Sequence, residues 1–283
     1  MCMKLVTMTS ACAKRFGDEH AIKMIKDAGF DGYDFSMFEH NQQFWDSDNW
    51  QKYAENLRRT ADNVGISCLQ MHAPSPTMRT IEHVVPLEKT FLRAIDISDI
   101  LGCKMLVVHP GSFLSAQENK KYIYDKILPY AKKKGVNIAT ENMFKWKDAS
   151  ETETVPSACG TAKDFLEHID LINDENFVAC MDIGHAEMVN CEGSVKIIRA
   201  LGKRIKCLHV HDNDLFDDLH TFPFCGKINW TEVAKALKDV GYSGHFTFEA
   251  DAFMKNYPDE LIPACLILLE KTGRYLIDLI EKV

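Results

Sequence analysis

An alternation that repeats eight times along the chain constrains the fold most strongly. Each repeat is a short apolar run, a turn and a helix-length amphipathic stretch, which predicts parallel strands joined by crossover helices. The predicted strands are Lys4–Met8, Gly32–Phe35, Ile66–Met71, Met105–Val108, Val136–Thr140, Phe177–Met181, Ile205–Val210 and His245–Phe248. Helices are predicted near residues 18–28, 48–63, 87–101, 118–134, 161–172, 194–201, 230–239 and 259–281.

Glycine separates most of these units. Six glycines each follow a predicted helix and precede the next strand, where a left-handed C-cap is needed: Gly29, Gly65, Gly102, Gly135, Gly202 and Gly241. No G-x-G-x-x-G motif follows the first strand, which disfavours a dinucleotide-binding open sheet. The length of 283 residues suits a closed barrel. We therefore predict an α/β protein with the (β/α)8 TIM barrel fold, in which residues 1–283 form one domain.

Charge and cysteine usage narrow the function class. The 33 basic and 41 acidic residues give a net charge of −8, which argues against general affinity for nucleic acid or anionic membranes. The ten cysteines form no C-x-x-C pair, and several lie in apolar runs, which is typical of reduced core residues. The stretch Met1–Val6 lacks the pattern of a signal peptide, and no apolar run approaches the roughly 18 residues of a membrane span. These features predict a cytoplasmic protein with no membrane partner.

The residues at the strand ends indicate the chemistry. The active site of such a barrel lies at the carboxyl ends of its strands. The third to eighth predicted strands end in imidazoles and carboxylates: His72, His109, Glu141, Asp182 with His185, His209 with His211, and Glu249. The barrel gathers these groups into one ring, where unpaired buried carboxylates are costly. A divalent cation would keep them ionised, and this mixed nitrogen and oxygen donor set suits one.

Local spacing refines the expected site. His209 and His211 are two residues apart on one strand, so their side chains point to the same face. Gly184 lies between Asp182 and His185, where the missing side chain is expected to let the backbone bend. The loop after the seventh strand adds Asp218 and His220, either as further ligands or as groups that hold a substrate oxygen.

Together, these motifs resemble those of the xylose isomerase-like barrel superfamily over nearly the whole chain. The superfamily contains sugar and sugar-phosphate isomerases and epimerases, and apurinic-site endonucleases of the endonuclease IV type. The segments that carry the resemblance are His72-Ala73-Pro74, His109-Pro110-Gly111, Glu141-Asn142, Asp182-Ile183-Gly184-His185, His209-Val210-His211-Asp212 and Glu249.

The ketose epimerase branch implies one function. The resemblance assigns one divalent metal, Mn²⁺, Mg²⁺, Co²⁺ or Zn²⁺, to Glu141, Asp182, His209 and Glu249. It implies an isomerase or epimerase that moves a proton beside a carbonyl through an enediolate, with Glu141 and Glu249 as the catalytic acid–base pair. The expected partner is a sugar or sugar phosphate, and relatives suggest a homo-oligomer.

The remaining site residues have less specific assignments. The substrate-binding candidates are His185, His72, His109, His211 and His220. The candidates for ligands of additional metal ions are His72, His109, His185, Asp218 and His220.

The endonuclease branch remains an alternative, namely a zinc phosphodiesterase acting on abasic DNA. It uses nine ligands for three zinc ions, and matching residue types are all present: His72, His109, Glu141, Asp182, His185, His209, Asp218, His220 and Glu249. The turn Asp182–Glu187 resembles the isomerases instead. The loops after strands two and five would also repel phosphates through acidic residues, namely Glu39, Asp46, Asp48, Asp148, Glu151 and Glu153.

Loop residues near the mouth supply further candidates. The aromatic residues either wall a sugar pocket or pack within their loops: Phe38, Phe44, Trp45, Phe144, Trp146, Phe222 and Phe224. Lys145, Lys147 and Lys227 are candidate phosphate contacts.

Overall fold

The computed structural model of the chain describes residues 3–76, 78–147 and 153–283. Two of the sequence predictions involve residues outside these ranges. Met1 and Cys2, at the start of the stretch inspected for an export signal, lie outside the described residues. So do Asp148 and Glu151 of the predicted acidic loop.

Eight parallel strands form the centre of the molecule, and each end lies within one residue of its predicted position. They are β1 (Leu5–Met8), β2 (Gly32–Ser36), β3 (Ser67–His72), β4 (Met105–Val107), β5 (Asn137–Glu141), β6 (Phe177–Asp182), β7 (Ile205–His209) and β8 (Phe246–Phe248). Neighbours in sequence pair in space from β1 through β7, and β8 pairs with β1.

Two single parallel bridges between β7 and β8 close the sheet. They join Cys207 to His245 and Val210 to Phe248. The Val210 N–H donates to the carbonyl of Thr247 at 2.9 Å, and the Glu249 N–H donates to the carbonyl of Val210 at 3.1 Å. The predicted (β/α)8 barrel is confirmed, and the strand ends named above form one ring at its mouth.

Helices surround the barrel at the predicted places. They span Ser10–Phe16, Asp18–Asp27, Gln42–Trp45, Trp50–Val64, Ile81–Val84, Glu88–Leu101, Ala116–Asn119, Asp125–Lys134, Ala162–Ile172, Ile183–Glu187, Ser194–Leu201, Trp230–Asp239 and Ile262–Lys282. A π-helical turn at Lys120–Tyr124 joins two of them. The periodicity missed four short helices, namely Ser10–Phe16, Gln42–Trp45, Ile81–Val84 and Ile183–Glu187. It also missed a hairpin between Phe144–Trp146 and Thr154–Pro156. Within the described part of the chain, no helix is long and apolar enough to cross a membrane.

The helix Trp50–Val64 illustrates how the outer layer packs. It buries Ala54, Leu57 and Ala61, which are spaced three to four residues apart and therefore share one face. Gly65 ends it at φ 69° and ψ 47°, the left-handed conformation that glycine adopts without steric cost. All six predicted cap glycines have positive φ. Gly202 departs from the prediction, because its ψ of −127° is not left-handed helical and leads into a 3-10 turn.

The strands present different chemistry to their two sides. On β2, Tyr33 and Phe35 join the large core between strands and helices, while Asp34 between them has the opposite orientation. A separate small apolar cluster contains Val107, Ala139, Val178, Cys180 and Cys207. The cysteines of the described residues are free thiols, as the sequence predicts.

Candidate metal centre

Four strand ends bring together a set of potential cation ligands, which we call the central set: Glu141, Asp182, His209 and Glu249. Their nearest donor atoms all lie within 4.8 Å of one another. Nδ1 of His209 is 3.0 Å from Oε2 of Glu141 and 2.9 Å from Oε2 of Glu249. These are the four residues that the family resemblance assigned to one metal.

The central set fits a divalent cation. All four residues are buried, and Glu249 is the most exposed at 8%. Both carboxylate oxygens of Glu141, Oδ2 of Asp182 and both ring nitrogens of His209 have no hydrogen-bond partner among the described residues. Buried polar atoms without partners are costly, and a divalent ion would compensate this mixed set of nitrogen and oxygen donors.

Asn142 and a helix N-cap hold Asp182 in position. The Asp182 N–H donates to Oδ1 of Asn142 at 2.8 Å, and the Asn142 amide donates to the carbonyl of Asp182 at 2.8 Å. Oδ1 of Asp182 accepts the N–H of His185 at 2.6 Å and so caps the short helix Ile183–Glu187. The ends of β5 and β6 are therefore tied to each other beside the central set.

The explanation expected for Gly184 is wrong. Gly184 is not among the positive-φ glycines of the described residues, so the turn does not need glycine for its backbone. A Cβ at this position would instead lie 1.9 Å from Cε1 of His211. Glycine is required here because it leaves room for the His211 ring.

A second group of ligand atoms, the flanking cluster, lies beside the central set: His185, His211, Asp218 and His220. Oδ2 of Asp218 is 3.0 Å from Nε2 of His220 and 3.5 Å from Nε2 of His185. The His211 and His220 rings stack with centroids 4.1 Å apart. Nε2 of His211 lies 3.2 Å from Oδ1 of Asp182, which connects the cluster to the central set.

A histidine pair lies on the other side of Glu141. Nε2 of His72 is 2.9 Å from Nε2 of His109, which in turn is 3.2 Å from Oε2 of Glu141. His72 Nδ1 donates to the carbonyl of Ala73 at 2.7 Å. Burial, reinforced by the adjacent His109, lowers the pKa of His72 to about 4. His72 is therefore neutral at physiological pH, and its Nε2 offers a lone pair toward the site.

In the ring of strand ends, neighbouring carboxylates and imidazoles shift each other's pKa values. Burial opposes the charge on Glu141, yet His209 and His109 hold the pKa of that carboxyl well below its ordinary value. Burial likewise opposes protonation of His220, but its hydrogen bond with Asp218 raises the pKa of His220 to about 10. Both glutamates of the central set are ionised at neutral pH, because the neighbouring His209 also lowers the pKa of Glu249 despite burial.

A cavity of about 780 Å³ opens over these groups. Four of the predicted substrate-binding histidines line it: His72, His109, His185 and His220. The fifth, His211, is fully buried and does not line it. A recess of about 420 Å³ shares Phe38, Asp218, His220 and Glu249 with this cavity.

The predicted aromatic wall is right in part. Phe38, Phe144 and Trp146 line the main cavity, together with Phe113, which the sequence analysis missed. The other four candidates lie elsewhere. Phe44 stacks on Tyr53, Trp45 lines a separate recess, Phe222 stacks on Phe253, and Phe224 lies beside Tyr275.

The mouth carries basic side chains as well as the expected acidic ones. Arg79, Lys145 and Lys147 line the main cavity, and the predicted acidic residue Glu153 forms an ion pair with Lys147. Nζ of Lys145 is 4.2 Å from the ring centroid of Phe113, and the Arg79 guanidinium carbon is 6.0 Å from it. Two of the acidic residues, Glu39 and Asp46, line a separate recess instead. The third lysine candidate, Lys227, lies over the Phe216 ring, away from the cavity lining.

Comparison with known proteins identifies the family. Residues 22–262 match the family model described as the xylose isomerase-like TIM barrel. The chain belongs to this family. The match confirms the resemblance that the strand-end motifs predicted.

Individual relatives and solved structures are similar to the chain over different lengths. An uncharacterized protein of Methanocaldococcus jannaschii, MJ1311, is 30% identical over 165 residues, 55% of this chain and 54% of that protein. The alignment therefore spans about half of the relative's length. The fructoselysine 3-epimerase of Escherichia coli O157:H7 is 30% identical over 97 residues, 34% of this chain and 35% of that protein. The crystal structure of a D-tagatose 3-epimerase-like protein superposes with a TM-score of 0.75 at 20% identity, covering 98% of both chains.

Several residues at the site were not predicted from the sequence. Ser75, whose Oγ lies 2.8 Å from Nδ1 of His109, follows the His72-Ala73-Pro74 motif directly and could have been inferred from that position. Arg79 and Phe113 lie in long connections whose paths have no periodic signal. Asp34 carried a clear signal, because it is a lone acid in the middle of an otherwise uncharged strand.

Proposed function

We propose that the protein is a divalent-metal-dependent isomerase or epimerase of ketoses or sugar phosphates. The observation that carries this proposal is the convergence of Glu141 and Glu249 on the same side of one imidazole. Their Oε2 atoms lie 3.0 and 2.9 Å from Nδ1 of His209. Two ionised carboxylates beside one cation position, at the base of an open cavity, suit proton transfer on either face of a small substrate.

The reaction needs a base, an acid and stabilisation of negative charge. A proton leaves the carbon beside a carbonyl, an enediolate forms, and a proton returns to the other face or to the neighbouring carbon. Glu141 extends from β5 and Glu249 follows β8, so the two carboxylates approach from different strands. One carboxylate accepts the proton, and the other acts on the opposite face of the substrate. A bound divalent cation would stabilise the developing oxyanion by its charge.

The cavity lining supports a polyhydroxylated substrate. His185 lines the cavity beside Phe144, with ring centroids 5.2 Å apart. In this proposal His185 orients a substrate hydroxyl, with His72, His109 and His220 as further polar contacts. The aromatic rings contact the C–H faces of the sugar. We assign buried His211 to support of the cation ligands. The names of the fructoselysine 3-epimerase and the D-tagatose 3-epimerase-like protein agree with a sugar substrate.

Exchange of solvent deuterium tests this proposal. Protein loaded with Mn²⁺, Mg²⁺ or Co²⁺ is incubated in D₂O with a panel of ketoses and their phosphates, and incorporation beside the carbonyl is followed by NMR. We expect wash-in for at least one member. Glu249→Gln should reduce it about 10³-fold, whereas Glu260→Gln, a substitution of an exposed residue that does not line the cavity, should not. Absence of exchange over the whole panel would contradict the proposal.

A zinc phosphodiesterase acting on abasic DNA is the second candidate. A specific observation favours it, because the flanking cluster and the His72–His109 pair provide ligand groups on both sides of the central set. The cations Arg79 and Lys145 at the cavity suit a phosphate backbone as well. Cleavage of an abasic-site oligonucleotide by protein holding three zinc ions, without deuterium exchange into any ketose, would establish this alternative.

A further inference from the structure

Asp34 is a buried carboxylate that the proposed reaction does not use. It lies on β2, is 0% exposed, and has the opposite orientation from its neighbours Tyr33 and Phe35. Neither of its carboxylate oxygens has a hydrogen-bond partner among the described residues. Since such a group is costly to bury, a compensating interaction is required to explain its presence.

The neighbour that can compensate it is His209. Oδ2 of Asp34 lies 3.8 Å from Nε2 of His209, an ion-pair distance somewhat too long for a hydrogen bond. Gln70 is opposite Asp34 in the strand register, but its side chain forms hydrogen bonds with other residues. Its Oε1 accepts from Thr247 at 2.9 Å, and its Nε2 donates to the carbonyl of Leu208 at 3.3 Å.

The two nitrogens of His209 face different groups. Nδ1 faces Glu141 and Glu249, so a cation held by the central set would take the lone pair of Nδ1. The neutral ring would then carry its proton on Nε2. That N–H is buried and needs an acceptor, and Asp34 is the carboxylate within 4.0 Å of Nε2 among the described residues.

We propose that Asp34 is a positioning residue for the metal centre. It accepts the Nε2–H of His209 and thereby fixes the tautomer and the orientation in which His209 offers Nδ1 to the cation. A carboxylate in this place also makes the imidazole a more basic ligand. The inference rests on the cation site of the proposed function and is independent of the substrate.

Cobalt binding tests the role of Asp34. The affinity of the full-length metal-free protein for Co²⁺ is measured by titration of the cobalt absorption bands. Asp34→Asn retains an oxygen acceptor without the charge, and we expect about tenfold weaker binding. Asp34→Leu has no acceptor, and we expect about hundredfold weaker binding. The unfolding of each metal-free variant by denaturant is measured in parallel.

Asp18→Asn is the matched control. Asp18 is also a buried carboxylate, but it accepts hydrogen bonds from Asn41 and Tyr53 and does not line the main cavity. Its substitution should lower the free energy of unfolding and leave Co²⁺ affinity unchanged. If the Asp34 variants behave like this control, Asp34 is structural and the inference is wrong.

The remaining outcomes are distinguishable. Equal Co²⁺ affinity in wild type, Asp34→Asn and Asp34→Leu overturns the inference and leaves the cation site intact. Failure of the wild type to bind Co²⁺ overturns the cation site itself. If Asp34→Leu does not fold, Asp34→Asn decides, because a folded variant with unchanged affinity contradicts the role that we assign.

Discussion

The central set and the flanking cluster contain similar residue types but differ in charge balance. The central set has three carboxylates and one imidazole, whereas the flanking cluster has one carboxylate and three imidazoles. In the flanking cluster, Asp218 pairs with His220 at 3.0 Å, and His185 is 3.5 Å away. In the central set, Glu141 leaves both of its oxygens without a hydrogen bond among the described residues.

This difference determines how strongly each group needs a cation. One protonated imidazole neutralises Asp218, and the raised pKa of His220, about 10, reflects that pairing despite burial. The central set has one imidazole for three buried carboxylates, and His109 and His211 lie 3.2 Å from Glu141 and Asp182 beside it. Because carboxylates outnumber imidazoles only in the central set, a divalent cation would stabilise it more than the flanking cluster. We therefore expect one tightly held ion per chain rather than three.

Paired substitutions in the central set and the flanking cluster should give the largest difference in ion affinity. Asp182→Asn removes a charge from the central set, and Asp218→Asn removes one from the flanking cluster. We expect the affinity for the tightest ion to fall at least about 100-fold in Asp182→Asn, since the lost ligand was buried beside the ion. It should fall less than about tenfold in Asp218→Asn. Calorimetric titration of both variants with Mn²⁺ measures this, and equal losses would refute the distinction.

The number of protons released when the ion binds tests whether His209 is a ligand of the central set. Burial opposes protonation of His209, but the adjacent Cys180, Glu249 and Glu141 hold its pKa well above its ordinary value. A group with a raised pKa is protonated below that pKa, so ion binding at neutral pH must displace the proton. Affinity should therefore rise with pH. Calorimetry in two buffers of different ionisation enthalpy should show about one proton released per ion at pH 7, and no release would contradict the ligand role of His209.

Gly184→Ala should perturb the flanking cluster selectively. The added Cβ would lie 1.9 Å from the His211 ring, so that ring must move. Overpacking of this kind costs about 1–3 kcal/mol of stability, which denaturant unfolding measures. The tightest ion should remain bound with an affinity within about tenfold of wild type. Loss of that ion would mean that the two groups act as one unit.

The smallest effect concerns the cavity wall. Phe144 lines the cavity beside His185, whereas Phe224 is 57% exposed and lies beside Tyr275. Phe144→Leu should raise the KM for the sugar about fivefold, which corresponds to about 1 kcal/mol of lost aromatic contact. Phe224→Leu is the matched control and should not change KM. Steady-state kinetics with the best ketose of the panel compare the two.

The sequence predicted the strands and the ring of strand ends because the barrel places every strand end at the same mouth. The family resemblance then selected Glu141, Asp182, His209 and Glu249 from that ring. The sequence could not predict the role of Gly184, because it does not distinguish a backbone turn from the close approach of the His211 ring. It also could not locate Arg79 and Phe113, since long loops follow no repeat.

Counting bound ions tests the central claim most directly. The purified protein is saturated with Mn²⁺ or Zn²⁺, dialysed against metal-free buffer, and analysed for metal content per chain. Our account predicts one retained ion in the wild type and none in Asp182→Asn. Three ions retained with equal affinity, or one ion that survives Asp182→Asn, would contradict it.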